Sequence, residues 1–260
     1  MIACFRLLSF VFVAALAGIA LPAHAEEITI AQSAGGRDIP ATLARPKGPG
    51  PFPAVIVLHG CAGKGRLETT IVEALAREGY VGLAIDTLAP QGVENACEGA
   101  VKGASRRSAA YAAQSLAWLA AQPYVRADRL AAIGFSMGAI AVLDLVDPFV
   151  PHAPPPGLRA AVAYYPACRS RDGLVTAPLL ILDGSDDDWT PAPPCAAMAQ
   201  SGVAAGKPIE ITTYPGATHS FNTPRNAATT YLGHTLRYDA AASDDAWSKT
   251  KKFLARYLAP

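Results

Sequence analysis

Residues 128–146 read DRLAAIGFSMGAIAVLDLV, and the fold turns on how this stretch divides. Leu130–Phe135 is a short apolar run of the kind that forms a strand buried on both faces. Met137–Val146 is apolar throughout, with Ala, Leu and Ile spaced as in a buried helix. Between the two lies Gly134-Phe135-Ser136-Met137-Gly138, a G-x-S-x-G. A serine on a sharp strand-to-helix turn is held in a strained backbone conformation. The flanking glycines are needed because the two arms of the turn pass close to each other. The turn lifts the hydroxyl clear of the sheet and aims the Met137 amide at whatever the serine attacks. The pentapeptide alone is common. A strand before it and a helix after it make Ser136 a candidate nucleophile on an elbow.

The surrounding chain supports an α/β reading. Glu27–Ala31 and Ile39–Ala44 alternate like paired antiparallel strands, with Gly35-Gly36 between them. Pro53–Leu58 and Val81–Ile85 read as buried strands, with an amphipathic helix over Leu67–Glu78 between them. A long loop from Asp86 to about Gly103 precedes a helix over Ser105–Ala121. After the elbow come strands at Leu158–Tyr164, Pro178–Leu182 and Ile209–Tyr214, and a closing helix over Ala241–Leu258. Strands alternating with helices predict a mostly parallel sheet of about seven to eight strands, covered on both faces. Ligands in such sheets bind beyond the carboxyl ends of the strands, so the functional residues belong just after strands.

The first 25 residues read as an export signal. Arg6 gives the positive start, Leu7–Leu21 the apolar core, and Ala23-His24-Ala25 a small-x-small cleavage site. The predicted mature chain is a single domain over residues 26–260, periplasmic or secreted, with no membrane association once the signal is removed. Cys4 precedes the apolar core, which argues against a lipid-anchored cysteine. A formal net charge of +1 and the lack of a basic cluster argue against a nucleic-acid partner. At 51% apolar residues, the chain can build a sizeable core. Pro46–Pro53 and Asp147–Pro156 read as loops inside the domain.

A serine hydroxyl needs a base within hydrogen-bond reach and an acid to orient that base. On an elbow of this type the chain order is Ser, then Asp or Glu, then His. His219, just after the strand ending near Tyr214, fits as the base. His24 leaves with the signal, and His152 and His234 read as solvated surface residues. His59 stands beside a glycine turn and is expected to shape it. The acid is open among four aspartates. Asp183 ends a strand and is expected to be half-buried, and Asp186, Asp187 and Asp188 follow it. The same run reads equally as a solvated acidic face. Metal binding fits it poorly, because hard-cation loops spread their oxygens more widely.

Taken together, these motifs resemble the dienelactone hydrolase family of α/β-hydrolases. The matching pieces are His59-Gly60-Cys61-Ala62-Gly63, the Ser136 pentapeptide, Gly184-x-x-Asp187-x-x-x-Pro191 and Tyr214-Pro215-Gly216-Ala217-Thr218-His219-Ser220-Phe221. They span nearly the whole mature chain, in order. The resemblance implies an α/β-hydrolase fold and places the acid on Asp187, with Asp188 as the fallback. It places the second oxyanion N–H on Cys61, beside that of Met137. Two features depart from the founding enzymes. The elbow carries Ser136 where they carry cysteine, and the Cys61-Ala62-Gly63-Lys64-Gly65 loop lacks their restraining glutamate. A serine without that glutamate is the pattern of an ordinary esterase.

Cys61, Cys97, Cys168 and Cys195 remain after signal removal, and an even number in an exported chain favours disulfides. Each pair that follows neighbouring strands is expected to bond: Cys61–Cys97 and Cys168–Cys195. Trp189, Tyr165 and Phe221 each lie beside a predicted catalytic loop and are candidate pocket residues or plain core. Arg106 and Arg107 read as a solvated helix face, with anion binding the lesser alternative. The predicted activity is hydrolysis of a small ester or lactone by a Ser–Asp–His set, in a monomer that needs no metal or organic cofactor. The rival readings are a binding protein that kept the fold without catalysis and a small peptidase of the same fold.

Overall fold

A computed structural model describes residues 25–32, 36–150, 157–168 and 171–259. Residues 1–24, most of the expected export signal, lie outside the described residues, as do Gly35 and His152. Eight strands form one sheet: β1 (Ala25–Ile30), β2 (Ile39–Ala44), β3 (Phe52–Leu58), β4 (Val81–Ile85), β5 (Val125–Phe135), β6 (Leu158–Tyr164), β7 (Leu179–Gly184) and β8 (Ile209–Tyr214). Their order is β1-β2-β4-β3-β5-β6-β7-β8. β1 and β2 are antiparallel to their neighbours, and β3 to β8 run parallel. This is the mostly parallel sheet expected from the strand–helix alternation, in the α/β-hydrolase architecture that the family resemblance implies.

Side-chain alternation along each strand feeds two separate cores. On β7, Leu179 and Ile181 pack with α2 (Val101–Ala120), α3 (Met137–Val146) and α4 (Pro193–Ala204). Leu180 and Leu182 face α1 (Arg66–Arg77) and α5 (Ala240–Leu258). Strands buried on both sides can be near-continuously apolar, which is why VGLAI and LAAIGF lack a polar beat. Each fully buried Leu, Ile or Val contributes roughly 1.5–3 kcal/mol.

The winding of the sheet prepares the site. From β3 the chain goes one way to β4, then crosses back over β3 to β5 and continues to β8. The reversal leaves a crevice where β3 and β5 lie side by side, with Leu58 opposite Gly134. The His59–Gly63 turn and Ser136 leave adjacent strands at that crevice. Features that lie outside the sequence reading include α4, a two-stranded hairpin of β9 (Thr229–Tyr231) and β10 (His234–Leu236), the start of α2 at Val101 and the start of β5 at Val125. None of the described helices is long and apolar enough to cross a membrane.

Candidate active site

The elbow is built by backbone crowding. Ser136 has φ 51° and ψ −113°, the strained conformation of a residue that must point its hydroxyl out of the turn. A Cβ on Gly134 would collide with the Gly138 carbonyl, and one on Gly138 with the Leu58 and His59 carbonyls. Only glycine permits β5, α3 and the end of β3 to approach so closely. The Ser136 amide donates to the Tyr164 oxygen (3.0 Å), and its own carbonyl accepts from Ile140 (3.0 Å), which locks the turn.

His219 follows β8 and is 2% exposed. Its Nε2 lies 2.9 Å from Ser136 Oγ, and its Nδ1 lies 2.8 Å from Asp187 Oδ2. With the carboxylate beside Nδ1, the proton belongs on that nitrogen, leaving Nε2 to accept from the serine hydroxyl. Asp187 is buried, and its Oδ1 accepts from the Trp189 and Thr190 amides at 2.9 and 2.8 Å. Burial pushes its pKa up, but the imidazole, the Thr190 amide and the Thr190 hydroxyl outweigh that and hold the carboxyl below its usual range.

The three consecutive aspartates point to different partners. Asp186 accepts from the Ser185 hydroxyl, and Asp187 meets His219. Asp188, the fallback acid, is exposed and faces β10 instead, accepting from the Thr235 amide. Among the described residues no group of His, Cys, Asp and Glu could hold a metal ion. Asp183 differs from the sequence reading: it is 0% exposed rather than half-buried, because it ends a strand covered on both faces.

The carbonyl-binding side is adjacent. A Cβ on Gly60 would lie 3.7 Å from Ser136 Cβ, so the turn after β3 runs alongside the serine. The Met137 N–H, in the first turn of α3, is among the donors a helix leaves unpaired. His59 is fully buried and braces the turn, as the sequence predicts. Its Nδ1–H donates to the Gly60 oxygen (2.6 Å), and its Nε2 accepts from the Thr87 amide (3.0 Å). Cys61 is bonded to Cys97 and Cys168 to Cys195. The first disulfide fastens the turn to the loop after β4. The second joins the segment after β6 to α4, just beyond the Asp187 loop.

The candidate pocket residues separate. Trp189 is half-buried, its ring 5.0 Å from that of His219. Tyr165 packs edge-on against His219 at 4.7 Å but is buried, its hydroxyl donating to Asn222. Phe221 is core rather than pocket: its ring is 0% exposed among Tyr164, Tyr165 and Tyr214, because the His219 loop folds it back under the sheet end. Sequence reasoning misses Thr190 altogether. Its hydroxyl lies within 3.1 Å of the Tyr165 oxygen, Asp187 Oδ2 and His219 Nδ1. His234 is also corrected. It is half-buried, with its ring stacked on Trp189 at 4.7 Å and 11°. Arg106 and Arg107 are exposed as expected, and Arg106 lines a cleft of about 610 Å³ with Lys102, Val101, Ile140 and Arg171.

Comparison with known proteins places the chain in a family. The family model described as "Dienelactone hydrolase family" matches residues 39–258, from the start of β2 to the end of α5. The chain belongs to the dienelactone hydrolase family. It is a carboxylic-ester hydrolase of the dienelactone hydrolase type. A protein of Yersinia pestis named as a carboxymethylenebutenolidase is 28% identical over 87% of this chain and 86% of its own. Among solved structures, one titled as a dienelactone hydrolase from Klebsiella pneumoniae is 25% identical, with a TM-score of 0.67 over 90% of this chain and 99% of its own. A dienelactone hydrolase-like promiscuous phosphotriesterase from metagenomic libraries superposes with a TM-score of 0.71 at 21% identity, covering 90% of this chain and 98% of its own. That likeness is one of fold.

Proposed function

We propose that this family member is an exported serine hydrolase that cleaves small carboxylic esters or lactones through an acyl-enzyme. The observation that carries the reading is the unbroken hydrogen-bonded line from Ser136 Oγ through His219 to Asp187. His219 Nε2 takes the hydroxyl proton as Oγ attacks the carbonyl carbon. The negative charge that builds on the carbonyl oxygen is met by the N–H groups of Met137 and Cys61, each typically worth about 3 kcal/mol of barrier. Collapse of the tetrahedral intermediate breaks the bond to the alcohol oxygen, which leaves with the proton from Nε2. Water then gives a proton to Nε2, attacks the acyl carbon and releases the acid, and Ser136 recovers its hydrogen. Asp187 keeps its charge throughout and stabilises the imidazolium. Two disulfides and the apolar leader at residues 1–25 support export.

The test is hydrolysis of p-nitrophenyl acetate and butyrate by the mature protein and its Ser136→Ala variant. Wild-type turnover that falls by about 10⁴-fold or more in the variant supports the reading. Equal rates in both, with no fluorophosphonate label on Ser136, overturn it in favour of a binding protein.

A further inference from the structure

Resting on the ester-hydrolase reading, we propose that the β9–β10 hairpin selects the alcohol half of the ester, through a wall made by Trp189 and Tyr231. The direction follows from chemistry. His219 Nε2 must hand its proton to the departing alcohol oxygen, so the alcohol group lies on the His219 side of Ser136. Trp189 borders that side: its half-buried indole lies 5.0 Å from the imidazole, whereas Tyr165, which also packs against that ring, is buried.

The hairpin holds Trp189 in place and extends its surface. His234 stacks flat on the indole at 4.7 Å, and the Tyr231 ring lies 5.9 Å from it. At its base the hairpin is tied to the His219 loop. Leu236 pairs with His219, and the Arg237 amide donates to Thr218 Oγ1 (2.8 Å). The Thr235 amide donates to the Asp188 carboxylate at 3.2 Å, and His234 Nδ1 lies 3.4 Å from the same carboxylate. At the other end, Asn95 Nδ2 donates to the Tyr231 hydroxyl (3.1 Å), and Asn95 Oδ1 accepts from the Cys97 amide (2.8 Å). The hairpin therefore reaches from the base to the disulfide-bonded loop that fixes Cys61. Trp189 and Tyr231 pack on one apolar cluster containing Cys61, Cys97 and Met137, so the wall is continuous with the oxyanion side. A flat, anchored aromatic wall admits a compact, planar alcohol such as a phenol and excludes a larger one. The acyl half, leaving Ser136 in another direction, does not meet it.

The experiment uses two ester series on the mature protein. One fixes the acetyl group and compares phenyl with 1-naphthyl acetate; the other fixes the p-nitrophenyl group and compares acetate with butyrate. In Tyr231→Ala the naphthyl-to-phenyl ratio of kcat/KM is expected to rise about tenfold, the scale of a gap opened in a pocket wall, while the butyrate-to-acetate ratio stays within about twofold. Tyr231→Phe, which keeps the ring but loses the hydroxyl that Asn95 holds, should shift the naphthyl ratio in the same direction by less than Tyr231→Ala does. Asn95→Ala, which removes the same anchor together with the acceptor of the Cys97 amide, should move the naphthyl ratio in the same direction and covers the case in which Tyr231→Ala does not fold. An unchanged naphthyl ratio in both variants, or equal shifts in both series, overturns the assignment. If the wild type hydrolyses no ester in either series, the esterase reading itself fails, and the two failures are thus separable.

Discussion

Replacing Asp183 by asparagine should make the protein more stable, and the gain should grow with pH. Asp183 continues the Leu179–Ile181 face of β7, is completely buried, and neither carboxyl oxygen has a hydrogen-bond partner among the described residues. Burial, reinforced by the nearby negative charge of Asp187, raises its pKa from 3.8 to about 8. The folded protein thus keeps a proton that the unfolded chain releases near pH 4. Unfolding free energy is full below that value, falls as pH rises through the interval, and levels off above about 8. Each pH unit costs about 1.36 kcal/mol, so about 3 kcal/mol is lost between pH 5 and 7. The asparagine side chain keeps the shape and has nothing to titrate. Urea unfolding with both disulfides intact, at pH 5, 6 and 7, reads the difference directly. With an m-value of about 3 kcal/mol/M for a domain of this size, the midpoints of variant and wild type should draw apart by about 1 M over that range. Midpoints that stay parallel across the three pH values would refute the reasoning, since they would mean that Asp183 does not hold its proton in the folded state.

Two further substitutions test the architecture around the serine. Thr190→Val removes a hydroxyl that contacts both Asp187 and His219 and leaves the two backbone amides on Asp187 in place. We expect kcat to fall about tenfold with KM unchanged, as for one hydrogen bond to a charged group, and Thr190→Ser to restore it. Gly138→Ala drives a methyl group into the backbone of Leu58 and within 2.6 Å of the His59 oxygen, where no flexible side chain can yield. It should destabilise the protein by about 3 kcal/mol or more, seen as a lowered Tm or loss of soluble protein.

The elements that can be read from the sequence carry their signal locally. Met137–Val146 is legible to the residue because Gly134 and Gly138 mark where strand gives way to helix, and an apolar run needs no partner to declare itself. α4 escapes for the opposite reason. Its buried stripe, Cys195, Met198, Ala199 and Gly202, has helical spacing, but its residues are small and alanines also fill the exposed face, so no amphipathic contrast survives. It starts at Pro193-Pro194, and proline suits the first helical turn. The hairpin strands span three residues each, with Leu232-Gly233 as the turn; the glycine is the available signal. What holds the hairpin is supplied by Asn95, Asp188 and Trp189, far away in the chain, and no local pattern announces such contacts. The same distinction runs through the acidic loop. Asp187 and Asp188 are equivalent by composition and spacing. They diverge because Asp187 Oδ1 accepts the amides two and three residues ahead, which turns the carboxylate inward to His219 and leaves Asp188 to face the hairpin. Adjacent identical side chains thus take opposite directions from the turn that carries them, so the choice of acid is a property of backbone geometry.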